Sequence, residues 1–192
     1  MKNPHAEIDQ LFKLAEEKIK LVENLDGLPF PAVNQLRYVA FHLLRAEFAP
    51  DEKHRESELR KAKNHCQRAI YDASEIGIMH YLNEFALFQN DYRTTTITDV
   101  VPDYLEHRRL ANEARNFAAS ITRKSISDHC ENQDDQYQKS GEYFEALRKN
   151  NEILQEARPE LGKKIQRNRR YFLFAITGLT VAILTLIVTI LK

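Results

Sequence analysis

Arginine and histidine recur together at a narrow range of spacings in this chain. Arg37 and His42 are separated by four residues, Arg60 and His65 again by four, and Arg123 and His129 by five. An imidazole passes a proton near neutral pH, and a guanidinium holds a phosphate through two parallel hydrogen bonds. The combination suits chemistry at a phosphate. A second arrangement is the adjacent pairs His65-Cys66 and His129-Cys130. Neighbouring residues on one helix point about 100° apart and rarely share a metal, so no zinc site is expected from them. The chain has no glycine-rich phosphate loop, no HExxH and no serine elbow, and Asp134-Asp135 sits in a polar break. No metal and no cofactor is expected.

The same residues also have a plain structural reading. Residues five apart on a helix diverge by about 140°, so an Arg/His pair needs a second helix to converge. His42 lies among Phe41, Leu43 and Leu44 and reads as a packed histidine with one hydrogen bond. Arg68 and Asp72, four apart, suit an ion pair along one helix. Tyr71, Tyr81 and Phe85 read as core.

The elements that position these residues are helical throughout. Glycine is scarce, strand-like alternation is absent, and apolar residues recur at three and four. Ile8, Leu11, Phe12, Ala15, Ile19 and Val22 predict an amphipathic helix over about 4–24. The run 26–31, DGLPFP, breaks it. A second helix is expected over 32–48, ended by Pro50-Asp51. A third runs from about 56 to 89 with Leu59, Ala62, Cys66, Ala69, Ile70, Ala73, Ile76 and Met79 as its apolar face, and Gly77 need not stop it. RTTTITDVVP, 93–102, is a loop. A fourth helix covers 103–128 and a fifth 134–157, ended by Arg158-Pro159. The fifth is poor in large apolar residues, so it either packs loosely or pairs with its copy as a stalk. Short links make the whole an up-down bundle.

Residues 30–90 resemble a HEPN domain, an all-α fold with an R-x(4–6)-H motif. The likeness lies in a helix carrying Arg37-Tyr38 and His42, followed by a long helix carrying Lys61-Ala62, His65, Arg68-Ala69 and Tyr71-Asp72. The resemblance implies metal-independent RNA cleavage. Two motifs pair across a dimer, and His and Arg activate the 2′-hydroxyl and stabilise the phosphate charge. Active members of the family often have a polar residue directly after the arginine. Arg60 is followed by Lys61 and Arg37 by Tyr38, so Arg60 and His65 are the preferred catalytic candidates, with Arg37 and His42 as the alternative.

The last stretch, 171–191, reads YFLFAITGLTVAILTLIVTIL and carries no charge. About 20 apolar residues span a bilayer core as a helix, so a tail-anchored protein is expected. The domain plan is a helical bundle over 1–157, a basic linker over 158–170 and a transmembrane helix over 171–191. Lys163, Lys164, Arg167, Arg169 and Arg170 precede the span. They place the head in the cytoplasm and the short C-terminus outside, and suit anionic headgroups. In a reducing cytosol Cys66 and Cys130 are not expected to form a disulfide. Six of the 28 basic residues and none of the 28 acidic ones follow residue 162. The head therefore holds 22 positive and 28 negative side chains, a net charge of −6, which argues against a broad nucleic-acid face. Ala175, Gly178, Ala182, Thr185 and Thr189, spaced 3, 4, 3, 4, form a small-residue stripe through which the spans are expected to associate.

These readings converge on a non-enzymatic membrane protein. Its copies assemble in the lipid bilayer as a homo-oligomer, and it senses a cytosolic protein partner or perturbs the membrane. The HEPN resemblance adds the specific expectation of a bacterial defence effector. The alternatives are a membrane-tethered ribonuclease, with RNA as substrate, and a passive scaffold.

Overall fold

The computed structural model of the chain describes residues 3–124 and 133–190. Five α-helices and one short 3-10 turn account for nearly all of them, and no strand occurs among the described residues. Helix α1 spans Pro4–Asp26. The Asn3 side chain accepts a hydrogen bond from the His5 amide and Pro4 takes the first turn, where its missing N–H costs nothing. Gly27 ends the helix at φ 88°, a conformation that favours glycine, and its amide closes on the Glu23 carbonyl. Helix α2 spans Phe30–Glu47 and α3 spans Glu52–Asp91, the latter capped by Asp51, which accepts from the His54 amide. The loop after α3 contains the turn Ile97–Asp99. Helix α4 is Tyr104–Lys124 and α5 is Gln133–Ile190.

The long α3 is the axle of the bundle. The Cys66 thiol meets the Ile8 carbonyl and Lys63 pairs with Glu7, while Ala15 packs with Ala69 and Ile70, so α1 runs parallel to α3. Gln35 meets His65 and Asp72, and His42 meets Glu58, so α2 runs back. The Tyr104 ring lies by Phe85 and Phe88 at the start of α4, which descends. Tyr137 meets Tyr71 and Arg158 meets Asp91, so α5 rises with α3. The result is an up-down-up-down-up bundle, as the short links predict.

Two tiers follow from the unequal helix lengths. The distal tier packs α1, α2 and the first half of α3 around aliphatic and small residues, with no buried aromatic ring: Ile8, Val39, Ala46, Leu59, Ala62 and Cys66. The proximal tier packs the second half of α3 with α4, α5, the end of α1 and the start of α2 around Tyr81, Phe85, Phe88, Tyr104 and Phe144. The predicted apolar face of α3 holds through Ala73, but Met79 is 56 % exposed. Gly77, Ile78, Tyr81, Leu82, Phe85 and Phe88 are buried instead. The face turns because α4 and α5 approach α3 from other sides than α1 and α2. At Gly77 the ring of Phe144 fills the space a Cβ would need, so this glycine is a packing requirement and the helix runs on through it.

Helix α5 departs from the expected plan. Arg158-Pro159 does not end it, and 158–170 is helical, so stalk and apolar segment are one rod of 58 residues, about 87 Å at 1.5 Å each. Proline inside a helix leaves the carbonyl four residues earlier without its amide partner, a cost near 3 kcal/mol. Contacts on both sides of Pro159 offset it. Arg158 pairs with Asp91 at 2.7 Å and lies over the rings of Phe88 and Tyr92. Leu161 is fully buried, and Lys164 bonds the Thr96 carbonyl and pairs with Asp99. Nor does the lower part pack loosely. Phe144, Leu147, Leu154 and Leu161 recur at sevens and threes and are all buried, while Ile153 is exposed. This helix is long and apolar enough to cross a membrane, and residues 171–190 are all exposed.

Candidate functional site

The seam between α2 and α3 in the distal tier collects the polar and aromatic groups. On α2, Gln35, Tyr38 and His42 fall at i, i+3 and i+7, and so line one edge of the helix. On α3, Glu58, His65 and Asp72 fall at successive sevens and line the edge that meets it. Antiparallel packing then sets His42 beside Glu58 and Gln35 beside His65.

The two histidines lie face to face. Their ring centroids are 5.1 Å apart with planes at 12°. Tyr38 stacks on the other face of His65 at 5.2 Å, and the Arg37 guanidinium lies over Tyr38 at 5.2 Å. Phe41 meets His42 edge-on at 5.4 Å and carries Arg45 over its own ring at 5.6 Å. The column therefore runs Arg37, Tyr38, His65, His42, Phe41, Arg45, with a cation at each end. Such contacts attract through the ring quadrupoles.

Hydrogen bonds orient both imidazoles. His42 Nδ1 lies 2.7 Å from Glu58 Oε2, and the carboxylate, an acceptor only, puts the proton on Nδ1. Glu58 also accepts from Lys61 at 2.7 Å and faces Arg45 at 3.6 Å. The hydrogen bonds from Lys61 and His42 pull its carboxyl down to about 2. His65 Nδ1 lies 2.8 Å from Gln35 Oε1, whose amide donates to Asp72 at 3.4 Å. An amide oxygen accepts, so Nδ1 of His65 also carries the proton. Burial, then the charge of His42, push the His65 imidazole below its ordinary value. Arg68 holds Asp72 at 2.8 Å along the helix. Burial nevertheless raises the Asp72 carboxyl, its largest influence. Each imidazole is thus held at Nδ1 by a neighbour, and its Nε2, which makes no hydrogen bond among the described residues, is the atom left to exchange a proton.

The structure rearranges the sequence pairs. His42 and His65, taken from alternative motifs, occupy one site. Arg37 reaches it through Tyr38 on the His65 side. Arg60 is exposed on α3, and no hydrogen bond or ion pair joins it to His65 among the described residues. His129, Cys130 and the side chain of Arg123 lie outside the described residues. Cys66 is fully buried, and burial pushes its thiol up to about 12, which leaves it inert as a nucleophile. Sequence reasoning missed Gln35, Glu58 and Arg45. The Glu58–Lys61 spacing of three was a visible signal for the first shared ion pair; the register between two helices was not.

Two further regions bear on function. In the basic run before the span, Lys164 is turned into the head against Asp99, while Arg167, Arg169 and Arg170 are exposed. Along the apolar stripe Ala175, Gly178, Ala182, Thr185 and Thr189, the Thr185 and Thr189 hydroxyls donate to the Val181 and Thr185 carbonyls of their own helix at 2.8 Å. Second, a groove of about 810 Å³ lies between α1 and α5, lined by Leu11, Leu14, Ile70 and Ala146, with the buried Lys18 paired to Glu145 within it. Comparison of the chain with protein-family models, with curated proteins and with solved structures finds no match.

Proposed function

We propose that the chain is a membrane-anchored helical sensor whose cytoplasmic head is coupled mechanically to its membrane span. One observation carries this reading: α5 is a single helix from Gln133 to Ile190, packed into the head by Phe144, Leu147, Leu154 and Leu161 and without a charged residue from Tyr171 to Ile190. A scaffold that merely tethers a head is served by a flexible linker. A helix that runs unbroken from a packed core into lipid transmits tilt and rotation. The five basic residues favour a cytoplasmic head, and the small-residue stripe favours association of spans into a homo-oligomer that perturbs the bilayer, as a defence effector would. Expression should depolarise the cell envelope, and deletion of 171–192 should abolish the effect. Insertion of a Gly-Ser segment after Gln166 should abolish it too while the protein stays in the membrane fraction. Unchanged depolarisation after that insertion removes the mechanical coupling.

A second reading is favoured by the stacked histidines. His42 and His65, both with a free Nε2 and flanked by Arg37, Arg45 and Lys61, form an acid-base pair beside cations, the requirement for metal-independent RNA cleavage. It shifts the catalytic pair from Arg60/His65 to His42/His65, with Arg37 as the phosphate-holding residue. Cellular RNA should be degraded on expression of the wild type and spared by His42→Ala and by His65→Ala. Intact RNA in all three removes this reading.

A further inference from the structure

We propose that the outward face of α2 is a docking surface for an acidic amphipathic helix of a second protein. The seam consists of Phe30, Asn34, Arg37, Phe41, Leu44 and Phe48, at spacings of 4, 3, 4, 3 and 4. It lies opposite the buried line Ala32, Val39 and Ala46. Its large apolar members are open to solvent: Phe30 is 74 % exposed, Phe41 51 %, Leu44 63 % and Phe48 83 %. A surface helix normally turns a polar face outward. Here the inner face is covered by α3, and the outer face carries larger apolar side chains than the inner one.

The spacing selects the shape of the partner. Apolar positions repeating every 3.5 residues form the seam of a coiled coil, which accepts the side chains of another helix in its holes. An extended strand, with a period of two, does not match it. Asn34 adds a polar group within the seam, a device that sets register.

Charge selects the chemistry. The head is acidic overall, yet this seam carries Arg37 with Arg45 beside it, and no carboxylate lies on the seam itself. Arg37 makes no ion pair among the described residues. Arg45 faces Glu58 at 3.6 Å, but Lys61 and His42 share that carboxylate. A second copy fits poorly: parallel pairing in register sets Arg37 against Arg37, and antiparallel pairing about Phe41 sets Arg37 against Arg45. Like charges across a helix pair are unfavourable. A helix with apolar residues at its own a and d positions and Glu or Asp beside them satisfies both the seam and the arginines. The surface lies on the helix that supplies Gln35, Tyr38 and His42 to the stacked site, so a partner held there bears directly on that site.

The proposal names the input of the sensing role above and rests on that reading for its biological meaning; binding is measured here without any membrane response, so the two fail separately. The full chain in detergent micelles is titrated into two fluorescent three-heptad peptides. Both carry Leu at a and d; one has Glu at e and g, the other Lys. Fluorescence anisotropy should show the Glu peptide binding at least about tenfold more tightly, with the gap narrowing at high salt. The exposed double substitution Leu44→Asp with Phe48→Asp should abolish binding while circular dichroism stays unchanged. Arg37→Glu with Arg45→Glu should reverse the preference toward the Lys peptide. Equal binding of the two peptides overturns the proposal. So does binding that survives Leu44→Asp with Phe48→Asp at unchanged helicity. Self-association that is lost on Leu44→Asp, seen by sedimentation, overturns it in favour of a second copy.

Discussion

The two tiers of the head are built from different materials. The distal tier fills its interior with aliphatic side chains, two alanines and a cysteine and has along its α2–α3 edge Gln35, His42, Glu58, His65 and Asp72. The proximal tier fills its interior with Phe85, Phe88, Tyr104 and Phe144 and holds α5 on both sides of Pro159. Large interlocking rings resist repacking, and aliphatic and small side chains with a hydrogen-bonded seam leave the contact tunable by charge. The tier that holds the stacked histidines is also the far one. Tyr71, at the upper end of the polar seam, meets Tyr137, and from there to Tyr171 along α5 is about 50 Å. The contrast teaches that one bundle can hold a polar, hydrogen-bonded seam at one end and a ring-packed mount at the other.

That contrast can be broken by substitution. Phe144→Ala should destabilise the head by about 3–5 kcal/mol, because it empties the space under Gly77 and Tyr81. Chemical denaturation of the full chain in micelles, followed by circular dichroism, measures it. Val39→Ala in the distal tier should cost about 2 kcal/mol by the same assay, since it removes only two methyl groups from a tier of aliphatic and small residues. Equal losses from the two changes would erase the distinction between tiers. Pro159→Ala should raise stability by about 1 kcal/mol, by restoring an amide to the Gln155 carbonyl inside a continuous helix. A loss there would mean that the rod is better held with a proline.

The smallest effect is the dependence on pH. The folded protein holds His65 below its ordinary value, so the unfolded chain takes up that proton first as pH falls. The stability contributed by neutral His65 is present well above pH 6.5 and is lost as pH falls through 6.5 toward the folded value. The melting temperature should therefore decrease between pH 7.5 and 5.5, and His65→Gln should flatten that decrease. Val39→Ala should leave the slope intact, which separates the titrating seam from general loosening.

Much of the fold can be read in local chemistry. Asn3-Pro4, Gly27, Asp51 and the loop 93–102 mark helix ends by caps and breakers, and these marks act within a few residues. The apolar face of α1 and the first half of that of α3 follow from periodicity alone. Met79 and Pro159 were misread for one reason: both depend on what arrives from elsewhere in the chain. Met79 is exposed because α4 and α5 cover a different side of α3. Pro159 is tolerated because Asp91, Phe88 and Asp99 grip the helix around it. The site shows the same limit. Arginine and histidine spacing flagged His42 and His65 separately, since spacing speaks of one helix at a time. Their convergence is set by the antiparallel register of α2 on α3, which no single-helix pattern contains.

The continuous α5 has the geometry of a drive shaft. Successive residues in a helix are separated by about 100° of azimuth, a relation fixed by backbone hydrogen bonds along α5 and, where Pro159 interrupts them, by the grip of Asp91 on Arg158 and Asp99 on Lys164. If the Phe144 ring is reseated against α3, the change in heading reaches Gly178 undiminished, with no slack joint to absorb it. A modest swivel in the head would thereby turn the exposed face of 171–190 by the same angle.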